Sequence, residues 1–248
     1  FSNKGIERAK REFRVAKCEI MDDAPWVNYQ ILKDNELIGY KKVVKSINNP
    51  SRVKFENLPG TAYMFADLYF QMLEINDKQS DCLFFIHGFA NKLEDNFKHL
   101  KKLYDIYVNP EDSGIDHIVY VAWPSIGHKF LSYWNDQNDA EETGRILGGL
   151  FSKLFTFFIE LFEIAGMKRC SNRIHLAAHS MGNTVLDYML QNIPDQKLFN
   201  LFGETLLLHS DVRFDIFEEN GSFRKLEQLS GRTHIYISQS DEVLSALS

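Results

Sequence analysis

The chain holds 248 residues, 44% hydrophobic and 13% aromatic, which suits one sizeable α/β domain over 1–248 better than two small ones. A net charge of −6 with no long basic run argues against a nucleic-acid surface. Three scattered cysteines, Cys18, Cys82 and Cys170, form no C-x-x-C pair, which argues against a disulfide framework or a zinc site and makes a reducing, cytoplasmic compartment the expectation.

The first residue is Phe1, so the N-terminus is read as processed or cropped, and no signal peptide is visible. Residues 3–17 are expected to be helical, their basic side chains forming a solvated face. Residues 26–46 read as two strands around the polar turn Asp34-Asn35-Glu36, an antiparallel hairpin expected to extend the main sheet. Pro59-Gly60 marks the start of a helix over 61–75.

From there strands and helices alternate. "CLFFIHG" (82–88) is a continuous apolar run, the pattern of a strand buried on both faces. The next helix opens at Asn91, with Glu94 as its capping-box partner, and buries Leu93, Phe97 and Leu100. "HIVYVAW" (117–123) is a second strand, stopped by Pro124. Within 125–142, Phe130, Leu131, Tyr133 and Trp134 either roof an apolar pocket as a lid or pack on the sheet edge as core.

A long helix is expected over 139–166. Its segment 146–166 carries Lys153, Glu160 and Glu163 on one polar stripe, which makes it core-facing and not a membrane span. The strand "RIHLAA" leads to Ser180 and a further helix, and 205–212 and 233–238 complete the set.

Such alternation implies parallel strands joined by right-handed crossovers, with ligands bound beyond the carboxyl ends of the strands. The residues at that edge are His87-Gly88-Phe89, Trp123-Pro124-Ser125, Ser180, Asp211 and Asp241. Ala178-His179-Ser180-Met181-Gly182 is the G-x-S-x-G elbow with alanine for its first glycine. Small residues are needed there because the serine sits in a strained strand-to-helix turn.

Ser180 is read as a nucleophile in preference to a plain helix cap. The backbone N–H of Met181 supplies one half of an oxyanion hole and that of Phe89, freed to turn by Gly88, the other. Asp241 is favoured as the acid, with Asp211 as the runner-up. No metal or cofactor is expected.

These pieces resemble the α/β-hydrolase superfamily, and more narrowly a bacterial branch of hydrolase-like domains of unknown function. The resemblance rests on "LFFIHGFANKLEDNF", "VYVAWPSIG", "IHLAAHSMGN", "LLLHSDVRFDIF" and "YISQSDEVLS", across about residues 82–244. It implies a three-layer α/β sandwich with a mostly parallel sheet, a serine nucleophile, and hydrolysis of a small-molecule ester, thioester or amide. It also implies a histidine after the acid, but only "EVLSALS" follows Asp241. The expectation is that the native chain continues past Ser248 and carries that histidine. His128 is the one substitute entertained within the chain, since His175 and His209 fit core roles and His87 fits the structuring of the oxyanion loop.

Two other readings remain open. One is a non-catalytic hydrolase-like binding module. The other is a nucleotide binder, disfavoured because no G-x-G-x-x-G or G-x-x-x-x-G-K-[ST] loop follows any strand.

Overall fold

The computed structural model describes residues 14–32, 68, 71–72, 80–89, 91–125, 133–159, 171–195 and 200–237. Its centre is a five-stranded parallel sheet of β3 (Asp81–Ile86), β4 (Ile115–Val121), β5 (Ile174–His179), β6 (Phe202–Leu208) and β7 (Ser230–Tyr236), in the order β4-β3-β5-β6-β7. The apolar run of β3 is buried because strands pair on both of its sides and helices cover the sheet. The edge strands β4 and β7 are only partly buried.

Alternation along the strands divides the side chains between two faces. Phe84, Ile86, Leu176 and Ala178 point into a core shared with α2 (Tyr133–Ile159) and α3 (Gly182–Gln191). There Phe84 packs edge-on against Phe151 at 5.5 Å between ring centroids. On the other face Phe85 stacks on Tyr120, whose hydroxyl donates to Asn96 of α1 (Leu93–Tyr107). Helices on both sides of one sheet give the three-layer sandwich that the resemblance implied, and its strands are parallel as the alternation predicted.

The two helices of the first face cross closely. A Cβ on Gly148 would lie 2.6 Å from Met189 O and from Asn192 Cβ, and one on Gly144 would lie 2.4 Å from Val185 O. At its far end α3 is closed by Lys225 Nζ, which donates to Leu190 O and Ile193 O and satisfies carbonyls the helix leaves open. Lys225 ends a short 3-10 turn (Ser222–Lys225) that runs into α4 (Leu226–Leu229).

Several expectations are corrected. Residues 16 and 17, expected in a helix, begin β1 (Ala16–Ile20); the rest of that expected helix, apart from Arg14 and Val15, lies outside the described residues. β2 (Val27–Ile31) is present, but it pairs antiparallel with β1, Cys18 opposite Tyr29. These two strands form a sheet of their own and do not extend the parallel sheet. Their register puts Ala16, Cys18 and Ile20 opposite Ile31, Tyr29 and Val27 on one apolar face, and from that face Tyr29 meets Phe97 of α1. The expected turn at 34–36 lies outside the described residues, as does most of 61–75, of which 68, 71 and 72 are helical.

Helix α1 begins two residues later than Asn91, and Asp95 rather than Glu94 accepts the cap N–H, that of Lys92. Leu100 is buried as expected, whereas Leu93 is exposed. Helix α2 starts at Tyr133, six residues before the expected 139, so Tyr133 and Trp134 belong to its first turn. Among the described residues no helix is long and apolar enough to cross a membrane.

The glycines at 148 and 149 give substitutions of opposite sign. Gly148→Ala forces a methyl into the α2–α3 crossing and is expected to cost about 1–3 kcal/mol. Gly149 meets nothing within 4 Å. Gly149→Ala therefore adds helix propensity, worth up to about 1 kcal/mol. Thermal unfolding followed by circular dichroism should lower Tm for the first and raise it for the second; a fall for both would refute the packing account.

Candidate functional site

The loops after β3, β4, β5 and β6 meet at one edge of the sheet. Ser180 follows the last residue of β5 and adopts φ 51°, a left-handed conformation that non-glycine residues rarely take. Its N–H donates to Leu208 O at 2.9 Å, and its carbonyl accepts the N–H of Asn183 at 2.9 Å, so the chain turns at once into α3. A Cβ on Gly182 would stand 2.6 Å from the carbonyl oxygens of Ile86 and His87. Only glycine lets the helix begin that close to β3.

Asn183 completes the turn. Its buried side-chain amide donates to Ser180 O at 2.9 Å and to Ala178 O at 3.1 Å, with Leu208 O at 3.4 Å. One amide thus joins the end of β5, the turn and the end of β6.

The loop after β3 lies against this turn. A Cβ on Gly88 would come within 3.0 Å of Ser180 Cβ and 2.9 Å of His179 Nδ1. Phe89 is the next residue. The backbone N–H groups of Phe89 and Met181 donate to no backbone carbonyl among the described residues. Both stand beside Ser180, and Met181 adjoins the positive end of α3.

His87 holds that loop. Its Nδ1 sits 2.5 Å from Gly88 O and is the donor there, which leaves Nε2 to accept the N–H of Trp123 at 3.1 Å. The Trp123 indole N–H returns a bond to His87 O at 2.8 Å, and the two rings stack at 5.2 Å. Burial lowers the His87 pKa to about 4, so the ring is neutral at neutral pH.

Asp211 lies beside the turn as well. Its carbonyl accepts the Thr184 hydroxyl at 2.9 Å, its N–H points to Ser180 O at 3.5 Å, and its carboxylate accepts the Tyr133 hydroxyl at 2.7 Å. Asp241 lies outside the described residues, as do His128, Phe130 and Leu131. Of the expected lid aromatics, Tyr133 is half-buried edge-on against Phe89, while Trp134 is 71% exposed. Seven of the eight histidines are described, and none of these seven hydrogen-bonds Ser180. His179 is exposed, with its ring 5.9 Å from that of His209.

A groove of about 1040 Å³ begins at Thr184 and Asp211 and runs along α3 past Asp187, lined also by Gln137, Arg213 and Arg224. Its walls mix charged and amide side chains with apolar surface, and Ser180 is not among them. Among the described residues no group of three or more His, Cys, Asp or Glu could hold a metal ion.

Sequence reasoning brought Ser180, Met181, Phe89 and Asp211 to this edge. It missed Asn183, Thr184 and the hydroxyl of Tyr133. For Asn183 a signal existed: a polar residue in the first turn of a helix otherwise buried in the core.

The parallel order β4-β3-β5-β6-β7, with a left-handed serine between a buried strand and a helix, defines an α/β-hydrolase-type protein. The chain belongs to the family described as alpha/beta hydrolase of unknown function (DUF900), whose sequence profile matches residues 69–248. Neither the comparison with curated proteins nor that with solved structures found a match. The hairpin of β1 and β2 precedes the matched region.

The buried neutral His87 makes stability fall in acid. Its folded pKa of about 4 lies below the ordinary 6.5, so the unfolded chain binds the proton first as pH drops. Its contribution is intact above 6.5 and is lost progressively towards 4, up to about 3 kcal/mol. Calorimetry at stepped pH should give a shallower acid slope for His87→Gln, which keeps an acceptor for Trp123. An unchanged slope would assign the acid sensitivity elsewhere.

Proposed function

We propose that the protein is a serine hydrolase acting on a small-molecule ester, thioester or amide through an acyl-enzyme on Ser180. The observation that carries this reading is the left-handed φ of Ser180 between β5 and α3, with the N–H groups of Met181 and Phe89 uncommitted beside it. Membership of an alpha/beta-hydrolase family supports hydrolysis as the reaction class.

In this mechanism Ser180 Oγ attacks the carbonyl carbon and passes its proton to a general base. The oxyanion takes the N–H bonds of Met181 and Phe89, worth about 3 kcal/mol each where such donors have been removed. The tetrahedral intermediate expels the leaving group, which takes the proton. Water, activated by the same base, then releases the acid and restores Ser180. Asp241 is the acid that orients the base, and the base is a histidine outside the described residues.

The groove beginning at Thr184 and Asp211 brings charged and amide side chains close to the turn, and we take short esters as the first substrates to test. Cytoplasmic residence, without nucleic-acid partners, fits the charge and cysteine usage. A non-catalytic binding module is the second reading, favoured by the distance of every described histidine from hydrogen-bonding contact with Ser180.

A fluorophosphonate probe followed by intact mass should add one adduct to the wild type and none to Ser180→Ala. Hydrolysis of p-nitrophenyl butyrate should exceed that of the laurate ester and fall at least about a thousandfold in Ser180→Ala. An unlabelled wild type with no esterase or amidase turnover would bring the binding module forward.

A further inference from the structure

Tyr133 touches both rims of the space beside Ser180. Its ring meets Phe89 at 5.9 Å between centroids, on the loop that leaves β3. Its hydroxyl donates to the Asp211 carboxylate at 2.7 Å, on the loop that leaves β6. Both loops are tied in turn to the strand–helix turn: Gly88 abuts Ser180 Cβ, and Asp211 O accepts the hydroxyl of Thr184 in the first turn of α3. Tyr133 is also the first residue of α2, which is pinned against α3 at Gly144 and Gly148.

We propose that Tyr133 and Asp211 form a latch that fixes the Phe89 loop against the elbow, and so sets where the Phe89 N–H points during the reaction. The inference rests on the serine-hydrolase reading and makes Tyr133 a positioning residue, not a catalytic one.

Physical reasons favour the latch. An oxyanion donor counts only when it lies about 2.7–3.1 Å from the developing charge. A glycine-containing loop holds no such position unaided, and a misplacement near 1 Å can cost about a hundredfold. A carboxylate accepting a tyrosine hydroxyl is a short, charge-assisted bond. Burial and the neighbouring carboxylate both raise the Tyr133 pKa, so its hydroxyl keeps the proton it donates.

Tyr133→Phe keeps the ring against Phe89 and removes only the hydroxyl. It should lower kcat for p-nitrophenyl butyrate and the rate of fluorophosphonate labelling together by roughly tenfold, with KM changed less than about twofold. Asp211→Ala should match that loss, Asp211→Asn, which retains an acceptor oxygen, should lose roughly threefold, and the double variant Tyr133→Phe/Asp211→Ala should be no worse than either single alanine or phenylalanine change. Amide hydrogen exchange over residues 87–91 should quicken in Tyr133→Phe and Asp211→Ala.

A Tyr133→Phe rate within about twofold of wild type, multiplied losses in the double variant, or an Asp211→Asn loss as deep as that of Ser180→Ala would each overturn the latch. The last result would make Asp211 the acid. An unlabelled wild type would sink the hydrolase reading instead, and exchange at 87–91 would still decide the latch by itself: quickened exchange in both variants supports it, unchanged exchange refutes it.

Discussion

Two carbonyl oxygens, those of Ile86 and His87, decide what can stand at position 182. With a Cβ there they would be 2.6 Å away, so the start of α3 can reach the end of β3 only through glycine. That approach draws the chain between β5 and α3 into so short a turn that Ser180 takes a positive φ, at a cost of about 1–3 kcal/mol. Asn183 offsets the strain by gathering three carbonyls under one buried amide. The loop of Gly88 and Phe89, the start of the helix and the end of β6 are all positioned by this contact.

A second feature is that the scaffold around the serine is held by neutral hydrogen bonds. His87, buried and uncharged, links β3 to the second residue after β4 through Trp123 and keeps the loop at Gly88 in place. An imidazolium there would set a fixed positive charge behind the Gly88–Phe89 loop and remove the acceptor Trp123 uses. The Asp211 carboxylate brings charge to this edge, where the tyrosine hydroxyl meets it. Among the described residues the turn at Ser180 thus carries backbone N–H dipoles and a helix terminus beside the single carboxylate of Asp211.

Much of this was legible in the sequence because burial writes itself into composition. The apolar runs of β3 and β5, and the helices between strands, identified a parallel sheet, and the small residues around Ser180 identified the elbow. The pairing of the hairpin was not legible: β1 and β2 alternate over only five residues each, and the basic run before Cys18 reads as a helix that hides the start of β1. The start of α2 was missed because Tyr133 and Trp134 resemble a lid as readily as a first helical turn. Asn183 stood out only as a polar residue in the first turn of a buried helix, which marks a position but not the carbonyls it gathers. The Tyr133–Asp211 bond joins residues 78 apart, a pairing that only the folded sheet brings about.

The close crossing of α2 and α3 carries a consequence for how the chain tolerates changes of length. Gly144 is fixed against Val185, and Tyr133 lies roughly 16 Å up the same helix. One residue inserted between them would turn Tyr133 by about 100° around the helix axis and carry its hydroxyl away from Asp211. Insertions and deletions between Tyr133 and Gly144 are thus barred by helical phase even where side chains are exposed. On the far side of the crossing an insertion would leave Tyr133 in place but turn Phe151 and Phe155 out of the core.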